Sequence, residues 1–109
     1  METRPRHGEV WLADMGMAGK IRPVVVLLAD EVDVPRTLVI HVPVTTQSRG
    51  SELEIPLGHL RFLDPKSVAN VQAIGSLPRA RFERRLGSVP ESDLAAIKRA
   101  VVKACGLSP

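Results

Sequence analysis

The sequence predicts a mainly β fold with one helix at its C-terminal end, an α+β arrangement built as a small, strongly bent sheet or barrel. Two observations lead to this prediction. The first two-thirds of the 109 residues consists of short apolar segments separated by Gly, Pro and polar turns, which is the pattern of successive strands. The last segment instead repeats apolar residues every three or four positions, as one face of a helix does. The length fits a single domain, residues 1–109.

Two of the predicted strands have distinctive sequences. Residues 22–30, RPVVVLLAD, form a continuous apolar run, which predicts a strand buried on both faces. Residues 67–77 predict one longer strand in which Gly75 marks a bulge or bend. The other strands are predicted at 8–14, 37–45 and 51–57, and residues 78–85 open with proline and predict one helical turn.

The C-terminal helix is predicted to begin at a capping box, SVPE, with Ser88 as the N-cap residue and Glu91 at the third helical position. Gly106 is predicted to end it. Its apolar face is predicted to consist of Leu94, Ile97, Val101 and Cys105.

Composition limits the classes of protein that fit. The formal net charge is +3, which permits a polyanionic partner but does not require one. Cys105 is the single cysteine, so no internal disulfide forms. No apolar run reaches the roughly 20 residues of a membrane span. The start, METRPRHGEV, has no apolar stretch of a signal peptide. A cytoplasmic protein is expected.

Arg22 is the first candidate functional residue, because a buried strand begins with a fixed cation. Pro23 restricts the next backbone angle, and the strand behind it is rigid. A guanidinium held in this way suits a phosphate or another oxyanion. The alternative is an ion pair with a carboxylate such as Asp14 or Asp30.

Polar residues follow the end of the predicted strand 37–45, in the segment VTTQSRG. The hydrogen-bonding side chains of Thr45, Thr46, Gln47 and Ser48 are followed there by Arg49. Such a cluster can hold a phosphodiester or ribose hydroxyls. Thr and Ser are also ordinary turn residues, so a capped turn is the alternative.

The densest charge in the chain is the segment PRARFERRLG. Its arginines are Arg79, Arg81, Arg84 and Arg85. They can follow a nucleic-acid backbone, and the alternative is a solvated surface. With aromatic residues at only 3%, a base-stacking platform is disfavoured.

No metal site is predicted. The histidines at positions 7, 41 and 59 are not spaced with other ligand residues as a metal set requires. His41 shares strand parity with Thr45, although a structural role is the simpler interpretation. Glycine-rich phosphate loops and nucleophile-elbow motifs are also absent from the sequence.

In order, GEVWLADMG, RPVVVLLAD, VPVTTQ, SVANVQAIGSLPRARFERRLGSV and an amphipathic helix resemble the MazF/PemK/Kid family, the toxins of type II toxin–antitoxin modules. The resemblance runs from about residue 8 to residue 107. It implies an SH3-like, strongly bent barrel with appended helices, a homodimer, and a cognate acidic antitoxin. It also implies a metal-independent endoribonuclease without cofactors that cuts single-stranded RNA at short sequences.

By position, the resemblance assigns cleavage to Arg22 and Thr45. The attacking group is the RNA 2′-hydroxyl, with Arg22 stabilising the developing phosphorane and Thr45 holding the phosphate or the hydroxyl in line. Residues expected to bind RNA are Lys20, Thr46, Gln47, Ser48, Arg49, Gln72, Arg79 and Arg81.

The sequence departs from this family in two places. The loop between Asp14 and Arg22 is short, and Gln72 stands where some relatives have an acidic residue. Two other classes stay open: a CcdB-like toxin that binds gyrase without cutting RNA, and a non-catalytic RNA-binding protein.

Overall fold

The computed structural model describes residues 4–16 and 20–107. Residues 17–19 of the predicted short loop lie outside this part of the chain. The described residues form a seven-stranded antiparallel sheet and one C-terminal α-helix. The elements are β1 (Glu9–Asp14), β2 (Ile21–Val26), β3 (Leu38–Thr45), β4 (Glu54–Pro56), β5 (Val68–Asn70), β6 (Gly75–Pro78), β7 (Phe82–Ser88) and α1 (Glu91–Ala104). Two short 3₁₀ helices lie at Val71–Ala73 and Arg79–Arg81.

The sheet bends around β3. Its strand order is β4-β5-β3-β2-β1-β7, and β6 also pairs with β3. The first half of β3 pairs with β6, whereas Val44 and Thr45 pair with β5. The strongly bent sheet is therefore confirmed. Closure into a barrel is not, because β4 and β7 stand at the two ends of the described sheet without pairing with each other.

Strand β2 is buried on both faces, as its apolar run predicts. Val24, Val25 and Val26 each have no exposed surface. Successive side chains point to opposite faces, so Val25 joins one apolar cluster while Val24 and Val26 join another. The strand ends earlier than predicted: Leu27 and Leu28 leave it, and both of their amides donate to the carbonyl of Ile40.

Helix α1 covers one face of the sheet. Its buried residue Ile97 belongs to the same cluster as Val25 and Val42. The other face carries a smaller cluster built on Trp11 and Phe82, whose rings meet edge to face with centroids 6.4 Å apart. Both faces of the sheet are packed by apolar side chains, so the ends of its strands are held in fixed positions where a site can form.

The predicted strand 67–77 is wrong as a single element. It divides into β5, a 3₁₀ turn and β6, because the amide of Ile74 donates to the carbonyl of Val71 and turns the chain. Gly75 therefore begins β6 and is not a bulge. The predicted strand 51–57 shortens to the three residues of β4.

Strand β7 was not predicted, because its charged sequence FERRLGS lacks a clear alternation. The helical turn predicted for this region is present only as the 3₁₀ helix Arg79–Arg81.

The C-terminal helix is confirmed, and its start differs from the prediction. Pro90 occupies the N-cap position without a side-chain cap, so the capping box is wrong. The hydroxyl of Ser88 instead accepts a hydrogen bond from Arg85 Nη2 at 3.1 Å. Cys105 is exposed beyond the helix end, which contradicts its predicted packing role. Gly106 follows with a φ of 64°, the left-handed conformation of a helix stop.

His41 is a structural residue, in agreement with the simpler interpretation of the sequence. Its side chain is buried, and its Nδ1 lies 3.3 Å from the carbonyl oxygen of Val39. Burial lowers the pKa of His41, and the hydrogen bond to Val39 opposes that shift.

Within the described residues, no helix is long and apolar enough to cross a membrane.

Candidate functional site

Arg22 and Thr45 lie on neighbouring strands. In the β2–β3 pair, Val24 is opposite Pro43 and Val26 is opposite His41. This ladder ends at the pair Val24 and Pro43, and Arg22 and Thr45 lie two residues beyond it on their strands. Both side chains line the same groove, so the fold brings the two residues predicted to act together to one place.

A groove of about 610 Å³ opens beside this pair. Arg22 and Thr45 line it together with Gln47, Arg49 and Gln72, three of the residues predicted to bind RNA. Asn70 and Glu54 contribute further hydrogen-bonding groups to the same groove. Apart from Glu54, every polar side chain named here is neutral or cationic, which suits a polyanion.

Arg22 makes no ion pair or side-chain hydrogen bond with another described residue. The carboxylate of Asp14 instead accepts from the amide of Gly16 at 2.8 Å and lies 3.7 Å from Arg81. Asp30 accepts from the amide of His7 at 2.9 Å. The two candidate partners are thus used elsewhere, and the ion-pair interpretation of Arg22 has no support in the described part of the chain.

Thr45 is fixed at the end of β3. Its hydroxyl oxygen accepts a hydrogen bond from the amide of Gln47 at 3.1 Å, a local turn of the kind that Thr commonly forms. Because the oxygen is the acceptor in this bond, the hydroxyl proton stays available to a ligand. The predicted capped turn and a functional role are therefore compatible.

Glu54 organises the loop that follows Thr45. Its carboxylate accepts from the amides of Arg49 at 3.0 Å and Ser51 at 2.8 Å, and from the hydroxyl of Ser48 at 3.2 Å. The amide bonds from Ser51 and Arg49 lower the pKa of Glu54. The ionised side chain therefore sets the path of the loop that carries Arg49 into the groove.

The other residues predicted to bind RNA are spread over the surface. Thr46 lines a second groove, which Arg22 and Thr45 also line. Lys20 is exposed next to the start of β2, and Ser48 is tied to Glu54. Arg81 lies beside Asp14. Arg79 lines a separate pocket with Leu38, so the structure does not bring it to this site.

The arginine cluster is divided by two irregularities in the β1–β7 pairing. Phe82 is opposite Ala13, yet Arg84 is opposite Leu12 and Arg85 is opposite Trp11, so Glu83 is an extra residue in the ladder. Arg84 therefore faces the second groove. Arg85 faces the other way and donates to the carboxylate of Glu9 at 2.7 Å.

Sequence reasoning missed Glu54 and Asn70 in the first groove. It also missed Phe62 and Asp64 in the second. Glu54 lies within the predicted strand 51–57, and only the amides that converge on its carboxylate reveal its role. No signal in the sequence marks the other three. In residues 4–16 and 20–107, no three His, Cys, Asp or Glu side chains converge as metal ligands would.

The fold and this site define a small bent-sheet protein with a cation and a hydroxyl at paired strand ends beside a polar groove. Residues 6–105 match the model of the PemK-like, MazF-like toxin of type II toxin–antitoxin systems, and the chain belongs to this family. The family resemblance drawn from the sequence is thereby confirmed.

Solved structures agree with this assignment. The Mycobacterium tuberculosis toxin MazF-mt6 is 27% identical with a TM-score of 0.81, and the match covers 93% of this chain and 99% of that one. A mycobacterial endoribonuclease in complex with its cognate antitoxin is 23% identical with a TM-score of 0.83, covering 96% and 98%. The MazE–MazF complex of Deinococcus radiodurans is 24% identical with a TM-score of 0.81, covering 96% and 98%. The latter two likenesses concern the fold.

We expect the loop of residues 48–51 to depend on the charge of Glu54. Because the folded-state pKa is lowered, the carboxylate contributes stability above its ordinary pKa of 4.5, and this is lost as pH falls through the folded value. Protection of the Arg49 and Ser51 amides against hydrogen exchange should therefore decrease several-fold on acidification. Glu54→Ala should abolish most of this protection at neutral pH.

The matched control is Glu52→Ala, which removes an exposed carboxylate paired with Lys103. This variant should leave both amides protected. Unchanged protection in Glu54→Ala would show that other contacts hold the loop.

Proposed function

We propose that this protein is an endoribonuclease toxin that cleaves single-stranded RNA, with Arg22 and Thr45 as its catalytic residues. The observation that carries the proposal is the placement of Arg22. It lies near the start of β2, lines a polar groove together with Thr45, and its guanidinium has no protein partner among the described residues. A fixed cation without a protein counter-ion is suited to a phosphodiester.

The proposed reaction is attack of the RNA 2′-hydroxyl on the adjacent phosphorus. The bond from O2′ to phosphorus forms and the bond to the 5′-oxygen of the next nucleotide breaks. The 2′-proton passes to solvent water, and the departing 5′-oxygen takes a proton from solvent water. Products are a 2′,3′-cyclic phosphate and a 5′-hydroxyl.

Arg22 would stabilise the negative charge that develops on the phosphorane oxygens, the effect of a preorganised donor. Thr45 would donate a hydrogen bond from its hydroxyl to a phosphate oxygen, or hold the 2′-hydroxyl by a hydrogen bond, and keep the attack in line. A threonine hydroxyl is too weak a base to remove the 2′-proton, so its role is orientation. Metal-independent cleavage is part of the proposal, since the nucleophile is supplied by the RNA.

Recognition of a short RNA sequence is proposed for the groove around this pair. Gln47, Asn70 and Gln72 offer amide groups that can donate and accept hydrogen bonds with base edges. Arg49 adds a cation for the backbone. Lys20 and Arg81, which lie near the start of β2 and near Asp14, would act at longer range.

A homodimer and an acidic antitoxin are proposed as the functional partners, in keeping with the family. Leu38 and Ile40 at the start of β3 are exposed by 39% and 43%, and Val34 lies beside Leu38. Apolar side chains of this kind at adjacent positions mark an interaction surface. An acidic antitoxin segment could cover the positively charged grooves at Arg22, Arg49 and Arg84. The cytoplasm is the proposed location, since mRNA is the substrate.

Arg22→Ala is expected to lower the cleavage rate on single-stranded RNA by about 10²–10³-fold, because one preorganised donor to the transition state is lost. Thr45→Ala is expected to lower it by roughly 10²-fold through loss of alignment. Both variants should unfold thermally near the wild-type midpoint, since neither side chain fills the core. Cleavage is followed on a labelled oligonucleotide, and toxicity by growth after induction.

The structural control is Val25→Ala, which should cost about 2 kcal/mol of stability because Val25 is fully buried. Wild-type cleavage by Arg22→Ala would remove this residue from the mechanism. Growth inhibition by a wild-type protein that cuts no RNA would favour the CcdB-like alternative. RNA binding with neither cleavage nor toxicity would favour the non-catalytic RNA-binding alternative.

The chemistry predicts that RNA is cut in the presence of EDTA and that a single 2′-deoxy substitution at the cleaved nucleotide abolishes cutting. Binding of the deoxy substrate should be largely retained and should weaken with salt, because phosphate contacts dominate affinity. Mass spectrometry of the fragments should find 2′,3′-cyclic phosphate. Cleavage of the deoxy substrate, or loss in EDTA restored by magnesium, would contradict the mechanism.

Ile40→Glu is expected to shift the protein from dimer to monomer in sedimentation at micromolar concentration, because a charge at the proposed contact cannot be desolvated cheaply. Val102→Glu is the matched control, since Val102 is 38% exposed on α1, away from β3. A wild-type monomer would contradict the dimer proposal. Absence of a small acidic partner copurifying from the native host would contradict the antitoxin proposal.

A further inference from the structure

A second groove, of about 420 Å³, shares part of its lining with the first. Arg22, Val44 and Thr45 line both grooves. A phosphate placed at Arg22 is therefore adjacent to both grooves. An RNA strand that presents its scissile phosphate there can place a neighbouring nucleotide in the second groove.

Part of the wall of the second groove is apolar and includes one aromatic ring. Phe62 and Leu86 line it, together with Leu12. The Phe62 ring lies against Gly87 of β7 so closely that a Cβ at Gly87 would be 2.4 Å from it. This contact and partial burial against the main core hold the ring in place. A fixed ring and flat aliphatic groups are suitable for stacking with a nucleobase.

Two side chains of opposite charge are set into this wall. Asp64 is oriented by the hydrogen bond that its Oδ1 accepts from the amide of Lys66 at 2.8 Å. Arg84 faces the groove because Glu83 is the extra residue in β7. Neither Asp64 nor Arg84 forms an ion pair with another residue in the described ranges. The groove thus offers the carboxylate oxygens of Asp64 as hydrogen-bond acceptors and the guanidinium N–H groups of Arg84 as donors, beside apolar side chains.

We propose that the second groove binds the base of a nucleotide next to the scissile phosphate and favours guanine. This inference rests on the endoribonuclease function proposed above. Guanine carries neighbouring N1–H and N2–H₂ donors for a carboxylate, and O6 and N7 acceptors for a guanidinium. Uracil has a single donor, and adenine and cytosine each have only one donor group on their base edges. Asp64 and Arg84 are specificity-determining residues in this assignment.

The test compares wild type with Asp64→Asn and Arg84→Gln on a randomised RNA pool whose fragment ends are sequenced. Asn keeps the oxygen that accepts from Lys66 and so preserves the turn. Wild type should prefer guanine at one position beside the cut. Each variant should reduce this preference by about tenfold, as expected for loss of one base-reading contact. Asp33→Asn and Arg99→Gln, exposed and remote, should keep the wild-type preference.

A preference for guanine that both variants retain, or no preference for guanine beside the cut, would overturn the inference and leave the nuclease intact. If wild type cuts no RNA, the proposed function fails. The preference of the second groove for guanine is then tested by a binding measurement. Fluorescence anisotropy with fully 2′-deoxy hexamers differing by one guanine or adenine supplies that measurement. Tighter binding of the guanine hexamer that is lost in Asp64→Asn would support the groove, and equal binding by wild type would overturn it.

Discussion

The pairing of β2 with β3 is the constraint on which the rest of the molecule depends. Val24, Val25 and Val26 are buried on both faces of the sheet, so β2 cannot slip without exposing apolar surface or burying the Arg22 side chain. A shift by one residue would exchange the faces of every side chain on the strand. The two apolar clusters therefore contribute to the site as well as to stability. They hold the strands that carry the Arg22 guanidinium and the Thr45 hydroxyl to the same edge of the sheet.

The buried strand β2 and the residues Arg22 and Thr45 can be predicted from the sequence. Much less can be predicted about the residues that surround them. The run from Val24 to Val26 predicts a doubly buried strand because all three side chains are apolar, and the structure agrees. The sequence predicts Arg22 and Thr45 at strand ends, and their place in one groove follows from the pairing of β2 with β3. Register is a tertiary property, so no local pattern contains it.

Two of the failures have the same origin. Apolar residues recur through residues 67–77, which favours one strand, yet β3 exchanges its partner along its length and the chain turns between β5 and β6. Ser88 is a residue type typical of helix N-caps, but the β1–β7 ladder continues through it. In both cases long-range pairing overrides a local preference. Glu54 differs, because its partners lie only three to six residues away in the sequence. It resembles an ordinary solvent-facing strand residue until the amides of the preceding loop are placed around it.

The extra residue in β7 determines which charged side chain of this strand faces the second groove. Glu83 occupies no position of its own opposite β1, and Arg84 consequently lies across from Leu12. A regular ladder would have placed Glu83 opposite Leu12 and Arg84 opposite Trp11. The groove would then have received a carboxylate from β7 in place of a guanidinium. A change of one residue in the spacing of the backbone is therefore enough to exchange the charge that faces the groove, with every charged amino acid retained.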